Sequence, residues 1–261
     1  MTWRLLSYNI RDGGIGRETM LAAVIAGARP DVVVLQEATD PRVVARLAEM
    51  GKFAAWGSRP GHSTGFLSRI PVEHHAWHHP RASRHAFLEV ALAGTNVRVF
   101  GLHLSAWFSS WTERRRHFEI QALLKAIGEH QNGFHILAGD FNALAPGEVL
   151  RVERMPQWIR AMVWLSGRDI ARHTIQHMLD QKYVDAWAAL HPDGTGYTFP
   201  TWDPHVRLDY VFTPDRYRES LKRCEVHTGG DAGGASDHFP LLVEFEVGGQ
   251  VGGQASESTN G

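Results

Sequence analysis

Short apolar runs separated by turn residues fill most of the chain, and several of them end on an Asn, Asp, Glu or His. Residues 3–10 form an apolar run that reaches Asn9, followed by the turn Asp12-Gly13-Gly14. A helical pattern spans about Arg17 to Ala28 until Pro30 and Asp31 break it. Asp31 to Gln36 (Asp-Val-Val-Val-Leu-Gln) is short and rich in β-branched residues, which predicts a buried strand. Pro41 opens a second helix to about Met50; proline suits the first helical position, where its missing N–H would have no partner anyway.

Between Phe53 and Phe100 the rhythm is strand and turn, with candidates at Thr64–Ser68, Val72–Trp77, Phe87–Ala93 and Asn96–Leu104. Thr112 to His130 reads as a helix with Phe118, Ala122, Leu123 and Ile127 on one face and Thr112 as N-cap. Phe134–Ala138 is a strand that stops at Gly139-Asp140. From Pro146 to about Asp180 the rhythm changes. Trp158, Ile159, Met162, Trp164 and Leu165, then Ile170, Ile175, Met178 and Leu179, predict one or two helices inserted over a sheet edge or site rim. Arg207–Thr213, Leu221–His227 and Phe239–Val247 close the chain as strands. Strands outnumber helices and are mostly joined by short turns. That predicts an α+β layered fold, two sheets face to face with helices outside.

The 261 residues, 43% of them hydrophobic, suffice for one large core or two small ones. We expect one domain over 1–247, including the helical insert at about 146–180, and a flexible Gly- and Ser-rich tail at 248–261 that cannot bury enough surface to order itself. Charge is balanced, 27 basic against 28 acidic residues, so the total shows no basic excess of the kind that displaces counterions from nucleic acid. The single cysteine, Cys224, excludes an intramolecular disulfide framework and fits a reducing compartment. No charged start and apolar core precede the first strand, and no run approaches the ~20 apolar residues that span a bilayer. The expectation is a cytoplasmic monomer without an obligate protein partner.

Five polar patches end apolar runs: Ser7-Tyr8-Asn9-Ile10, Leu35-Gln36-Glu37, Gly139-Asp140-Phe141-Asn142, Arg207-Leu208-Asp209-Tyr210 and Ser236-Asp237-His238. Strand ends can converge although they lie far apart in sequence. Carboxylates and carboxamides are hard oxygen ligands of the kind that hold Mg²⁺, Mn²⁺ or Ca²⁺. Taken singly, each patch equally suits an ordinary strand end: Asn9 a turn former, Glu37 a surface acid, Asp140-Phe141-Asn142 an Asx turn, Asp237-His238 a loop pair.

In order along the chain, Asn9 in SYNI, Glu37 in LQE, His103 in GLHLS, GDFNA at 139–143, RLDYVF at 207–212 and SDH at 236–238 resemble the endonuclease/exonuclease/phosphatase superfamily, also called deoxyribonuclease I-like. The likeness runs from about Thr2 to about Val247. It implies a four-layered αββα sandwich with the site at one edge. It also implies roles. Glu37 would hold Mg²⁺ (or Mn²⁺), helped by Asn9 and Asp237. Asp140 and Asn142 would place and activate the attacking water or steady phosphoryl oxygens. His238, oriented by Asp209, would act as acid/base or as a stabilising cation, and His103 would bond the phosphate from its other side. Which group takes the water's proton stays open.

The implied activity is hydrolysis of phosphodiester bonds by a metal-dependent phosphoesterase, nuclease-like in the leading reading. The runner-up is a phosphodiesterase or phosphatase acting on a small or lipid-linked substrate, favoured by Trp107, Phe108 and Trp111 just after His103 and by the Trp-rich insert. A non-catalytic binding module on the same scaffold is the alternative of another class. Four further features are read as structural in the first instance. His74, His75, His78 and His79 suit a solvated strand better than zinc, because adjacent residues point to opposite faces. Arg69 follows a strand, Arg114-Arg115-Arg116 lies on a solvated helix face, and Trp202 could line the pocket.

Overall fold

The structure, a computed structural model, describes residues 2–81, 83–107, 109–165 and 171–246. The predicted tail at 248–261, Phe108 and Ile170 lie outside the described residues. Twelve strands form two six-stranded sheets. The first contains β1 (Thr2–Asn9), β2 (Val32–Gln36), β3 (Ala55–Gly57), β4 (Thr64–Ser68), β11 (Leu221–Val226) and β12 (Leu241–Glu246), in the order β11-β12-β1-β2-β4-β3. The second contains β5 (Val72–His78), β6 (Phe87–Leu92), β7 (Arg98–His103), β8 (His135–Asp140), β9 (Tyr183–Asp185) and β10 (Asp209–Pro214), in the order β5-β6-β7-β8-β10-β9. The main helices are α1 (Glu18–Ala28), α2 (Pro41–Gly51), α3 (Ser110–Ala126), α4 (Gln157–Leu165) and α5 (His173–Asp180), joined by the short α6 (Ala186–Leu190) and α7 (Ala232–Ala235).

Three apolar layers explain why the central strands run apolar without alternation. Leu5, Val32, Val34, Val90, Val99, Ile136, Val211 and Val243 fill the space between the sheets. Leu6, Tyr8, Val33 and Leu35 face Leu21, Val24, Val44 and Leu47 of α1 and α2 on the other side of the first sheet. Phe100, Leu102, Leu137 and Phe212 face Ile120, Leu123, Ile175 and Met178 of α3 and α5. Strands covered on both faces are apolar on both. The expected αββα sandwich is the observed architecture.

The edge strand β5 departs from this, with His74 and His75 exposed along a strand paired on one side only. His75 packs on Phe66 and Trp77, while His78 Nε2 lies 2.7 Å from Glu89 Oε2. His79 Nε2 lies 3.0 Å from Ser83 O, so His75, His78 and His79 each take a separate partner. Arg69 is structural: it donates to Pro30 O at 3.1 Å and lies over the Phe53 ring.

Three expectations for α3 need correction. Its N-cap is Ser109, whose Oγ accepts from Thr112 N at 3.1 Å, and Thr112 is the third helical residue of a capping box. Phe118 is exposed, and the buried face is Glu113, Arg116, Glu119, Ile120, Leu123 and Leu124. Arg116 is not on a solvated face. It is fully buried, donates to Glu113 Oε2 at 2.9 and 3.0 Å, and reaches the Ser105 and Trp107 carbonyls at 2.9 and 2.8 Å. An arginine with several acceptors can be buried where an unpaired one cannot.

The insert forms α4 and α5. A small cluster of Leu144, Met155, Val163, Val206 and Leu208 seats α4 beside the strand that leads to Asp209. A cavity of about 610 Å³ is lined by Val152, Gln157, Arg160, Ala161, Val163 and Trp164. Trp158, Trp164 and Leu165 are exposed at 52%, 60% and 76%. Among the described residues, no helix is long and apolar enough to cross a membrane.

Candidate active site

Strand register places three polar residues side by side. In the parallel β7–β8 pair His103 stands opposite Asp140, and in the antiparallel β10–β8 pair Asp209 stands opposite the same Asp140. Gly139 makes this pairing possible: a Cβ there would lie 1.9 Å from the Leu102 carbonyl oxygen. In the other sheet, the parallel β1–β2 pair sets Asn9 opposite Gln36, so Glu37 leaves β2 next to Asn9.

Asn9 joins the two rows. Its Nδ2 donates to Glu37 Oε1 and to Asp140 Oδ2, both at 3.1 Å, so one carboxamide bridges acids from the two sheets. Its Oδ1 accepts from Arg11 N at 2.9 Å, which fixes the orientation of the amide. His238 Nδ1 lies 2.8 Å from Asp209 Oδ2, and its Nε2 is 3.9 Å from Asp140 Oδ2. His103 Nε2 is 3.8 Å from that same oxygen. Asp140, Asp209 and His238 present ligand-type atoms all within 4.8 Å of one another.

The backbone at the acids is held in an uncommon conformation. Glu37 and Asn142 have φ of 56° and 50°, left-handed values that non-glycine residues seldom adopt without surrounding constraint. Glu37 O accepts from Gly13 N and Thr39 N, and its Oε2 accepts from Asp12 N at 2.7 Å. Asn142 N donates to Asp140 Oδ1 at 2.8 Å, while its side chain donates to Leu104 O at 3.1 Å. Asp237 sits at the edge of the group, 3.7 Å from Arg11 Nε and within 3.4 Å of Ser236 Oγ. The structure thus gathers Asn9, Glu37, Asp140, Asp209, His103 and His238 closely. Asn142 touches Asp140 through its backbone, and Asp237 faces Arg11.

Burial and charge set the protonation states. Burial opposes a charge on His238, but Asp209, then Asp140 and Asp237, overcome it and raise its pKa to about 10, so it is an imidazolium at neutral pH. Burial raises the Asp140 carboxyl to about 7 although His238 pulls the other way. Burial alone would raise Glu37; the Asp12 N–H, His103 and Asn9 bring it below its usual value. Burial lowers His103, with Glu37 opposing.

The donor set suits a hard divalent cation. Glu37, Asp140, Asp209 and Asp237 bring four carboxyl groups to a region whose one raised imidazole is His238. Asp209 Oδ1 and His103 Nδ1 are buried without a hydrogen-bond partner among the described residues. Buried excess acid is costly unless a cation or proton compensates it.

Several contributors were not visible in the sequence. Ser236 Oγ donates to Asn9 O at 2.7 Å and so ties the last patch to the first. His85 stacks on His103 with ring centroids 5.5 Å apart. Glu119 accepts from Ser105 N and Oγ at 3.0 and 2.8 Å and from Arg84 N at 3.2 Å, anchoring the segments that carry both histidines. Arg207 of the RLDY segment is bonded to Glu148 and Asp185 at 2.7 and 2.6 Å and is a clamp for the insert rather than a site residue. Ser236 and Arg207 stand in the quoted motifs, but their roles, like those of His85 and Glu119, rest on partners distant in sequence.

Acids and imidazoles gather at the strand ends of a two-sheet sandwich, and the family follows from the sequence match. The model of the Endonuclease/Exonuclease/phosphatase family matches residues 6–238, and the chain belongs to that family, whose members hydrolyse phosphate esters. No curated protein sequence matches the chain. Among solved structures it is similar to an AP endonuclease from Archaeoglobus fulgidus, with 16% identity over 94% of this chain and 100% of that one, TM-score 0.71. A 3′ phosphatase from Neisseria bound to a product DNA hairpin shows 17% identity over 94% and 100%, TM-score 0.70. The D. rerio TDP2 complexed with a single-strand DNA product shows 20% identity over 94% and 99%, TM-score 0.65. At these identities the likeness to the solved structures is one of fold.

Proposed function

We propose that the chain is a divalent-cation-dependent phosphodiesterase with nuclease-like action, working as a cytoplasmic monomer. The observation that carries this reading is the convergence of Glu37, Asp140, Asp209 and His238 through Asn9 at the ends of strands from both sheets. The structural neighbours bound to DNA products favour nucleic acid as substrate. The buried Cys224, the chain's only cysteine, suits the reducing compartment.

Glu37 would hold Mg²⁺ (or Mn²⁺), with Asn9 and Asp237 beside it, and the cation would neutralise phosphoryl oxygens that otherwise repel a nucleophile. The chain's own groups divide the remaining tasks. Asp140, held by Asn9 and Asn142 between the two histidines, is placed to accept a proton from an attacking water. Asn142 fixes the Asp140 carboxylate through its backbone N–H. His238, held charged by Asp209, is placed to face a developing oxyanion or to protonate a leaving oxygen. His103 bounds the same space from β7, with His85 stacked behind it.

A second reading has its own support. Trp107, Trp111, Trp158, Trp164 and Trp202 are all largely exposed, and Trp107 meets Trp158 edge to face at 5.1 Å. Such a rim equally suits a lipid-linked phosphodiester. Hydrolysis of bis-p-nitrophenyl phosphate with Mg²⁺, abolished by EDTA, is the expected result for either. A flat rate with Mg²⁺ and Mn²⁺ would overturn the enzyme reading in favour of a binding module. Plasmid nicking without sphingomyelin or phosphoinositide turnover then supports the nuclease reading, and the reverse pattern the lipid one.

A further inference from the structure

Three histidines meet where α3 and α5 pack together. His173 and His177 stand four residues apart on α5, one helical turn, so both lie on the same face. His117 stands opposite on α3. Its ring centroid is 4.9 Å from that of His177 and 6.3 Å from that of His173. The separation of the helices is fixed beneath them, because Thr174 N donates to the buried Glu113 Oε1 at 2.8 Å.

The tautomer of the His117 ring is set by its neighbours. Its Nδ1 lies 3.3 Å from the His173 carbonyl oxygen. A carbonyl can only accept, so Nδ1 carries the hydrogen and Nε2 keeps its lone pair. Gln121, one turn further along α3, places its amide nitrogen 3.0 Å from that Nε2, which agrees with the assignment. Metal-bound histidines characteristically donate their second ring N–H to a carbonyl or carboxylate, which fixes tautomer and orientation. Among the described residues no carboxylate lies within ion-pair distance of the three rings; Asp180 acts on His177 from further away and is itself bonded to Gln176.

We propose that His117, His173 and His177 form a binding site for a zinc-type transition-metal dication across α3 and α5. Imidazole nitrogens select this class of ion, whereas Mg²⁺ and Ca²⁺ prefer oxygen, so the site is chemically distinct from the carboxylate cluster. The rings must turn toward one another to bring three nitrogens within about 2.0–2.1 Å of one ion. His173 is exposed and His117 and His177 are half-buried, so this rotation leaves the core undisturbed. A bound ion would staple α5, and with it the end of the insert, to the helix that follows the His103 segment. The proposal does not depend on the chain being a hydrolase.

The test is calorimetric titration of the whole protein with Zn²⁺ in excess Mg²⁺, comparing wild type with His117→Ala and His177→Ala. Wild type is expected to bind one more zinc than the variants, or to bind it at least about tenfold more tightly. Zinc should also raise the melting temperature of wild type more than theirs. Co²⁺ should give the visible absorption of a four-coordinate ion in wild type alone. Mg²⁺-dependent hydrolysis should be unchanged by these substitutions. Equal zinc stoichiometry and affinity in wild type and variants, or no zinc bound at all, would overturn the site. Should either alanine variant unfold, the exposed His173→Gln provides the same comparison.

Discussion

The floor and the rim of the candidate site are built in opposite ways. On the floor, Asn9, Asp140, Asp209 and His238 are polar side chains at least 95% buried, and each has a partner fixed by strand register or by a neighbouring acid. On the rim, Trp107, in the loop that follows His103, and Trp158, whose ring meets it at 5.1 Å, are large apolar side chains about half exposed. Buried polar groups and exposed apolar ones are the two placements that ordinary folding does not favour. The fold itself therefore fixes the chemistry of the floor. The rim packs only on itself and on the loop after His103, so its side chains can change without disturbing the reacting groups.

The largest effect that would break this division comes from the floor. His238→Ala should lower turnover of a small chromogenic diester by about 10²–10⁴, the usual size of a positioned acid/base contribution. A fall below threefold would take His238 out of the reaction and leave the floor a structural network.

A second, smaller effect separates function from stability. The folded-state pKa of Asp140 is raised by burial to about 7, above its ordinary 3.8, so the protonated form is the one the fold favours. Its stabilising contribution is complete below about 3.8 and is lost as pH rises through 7. In EDTA, Asp140→Asn should therefore raise the melting temperature at pH 8 and leave it nearly unchanged at pH 4, and with Mg²⁺ restored it should lower turnover. Each kcal/mol moves the transition by about 2–4 °C in a chain of this size. A lower melting temperature at pH 8 would mean that the acid is fully compensated where it stands.

The rim carries the smallest stability effect. Trp158→Ser should change stability by no more than about 0.5 kcal/mol, as surface substitutions do. It should leave the small diester unaffected and slow cleavage of the larger substrate, DNA if bases stack there, at about 1–3 kcal/mol per stacked base. Equal loss on both substrates would erase the distinction between floor and rim.

The same contrast explains what the sequence disclosed. The central strands were legible because both faces are covered and they run apolar throughout, as in Val32–Gln36. The three-residue β3 and β9 were missed because they are too short for any period to show. The glycine-rich α7 (Ala-Gly-Gly-Ala) has almost no helical signal of its own. The floor acids stood out because each interrupts or ends an apolar run. Their supports did not: Ser236, Glu119 and His85 matter only through partners brought close by folding. Arg116 was misread for the same reason, since burial of an arginine depends on Glu113 and on two carbonyls of the preceding loop. Phe118 was misread because hydrophobicity suggested an inward face, while the polar Glu113, Arg116 and Glu119 hold that face instead.

The central claim is that the strand-end acids hold one divalent cation around Glu37. Titration with Mn²⁺, followed by loss of the free-ion paramagnetic resonance signal, measures this without any assumption about substrate. Wild type should bind Mn²⁺ tightly, and Glu37→Gln should lose that binding while keeping its fold. Equal Mn²⁺ binding by the two proteins would contradict the account.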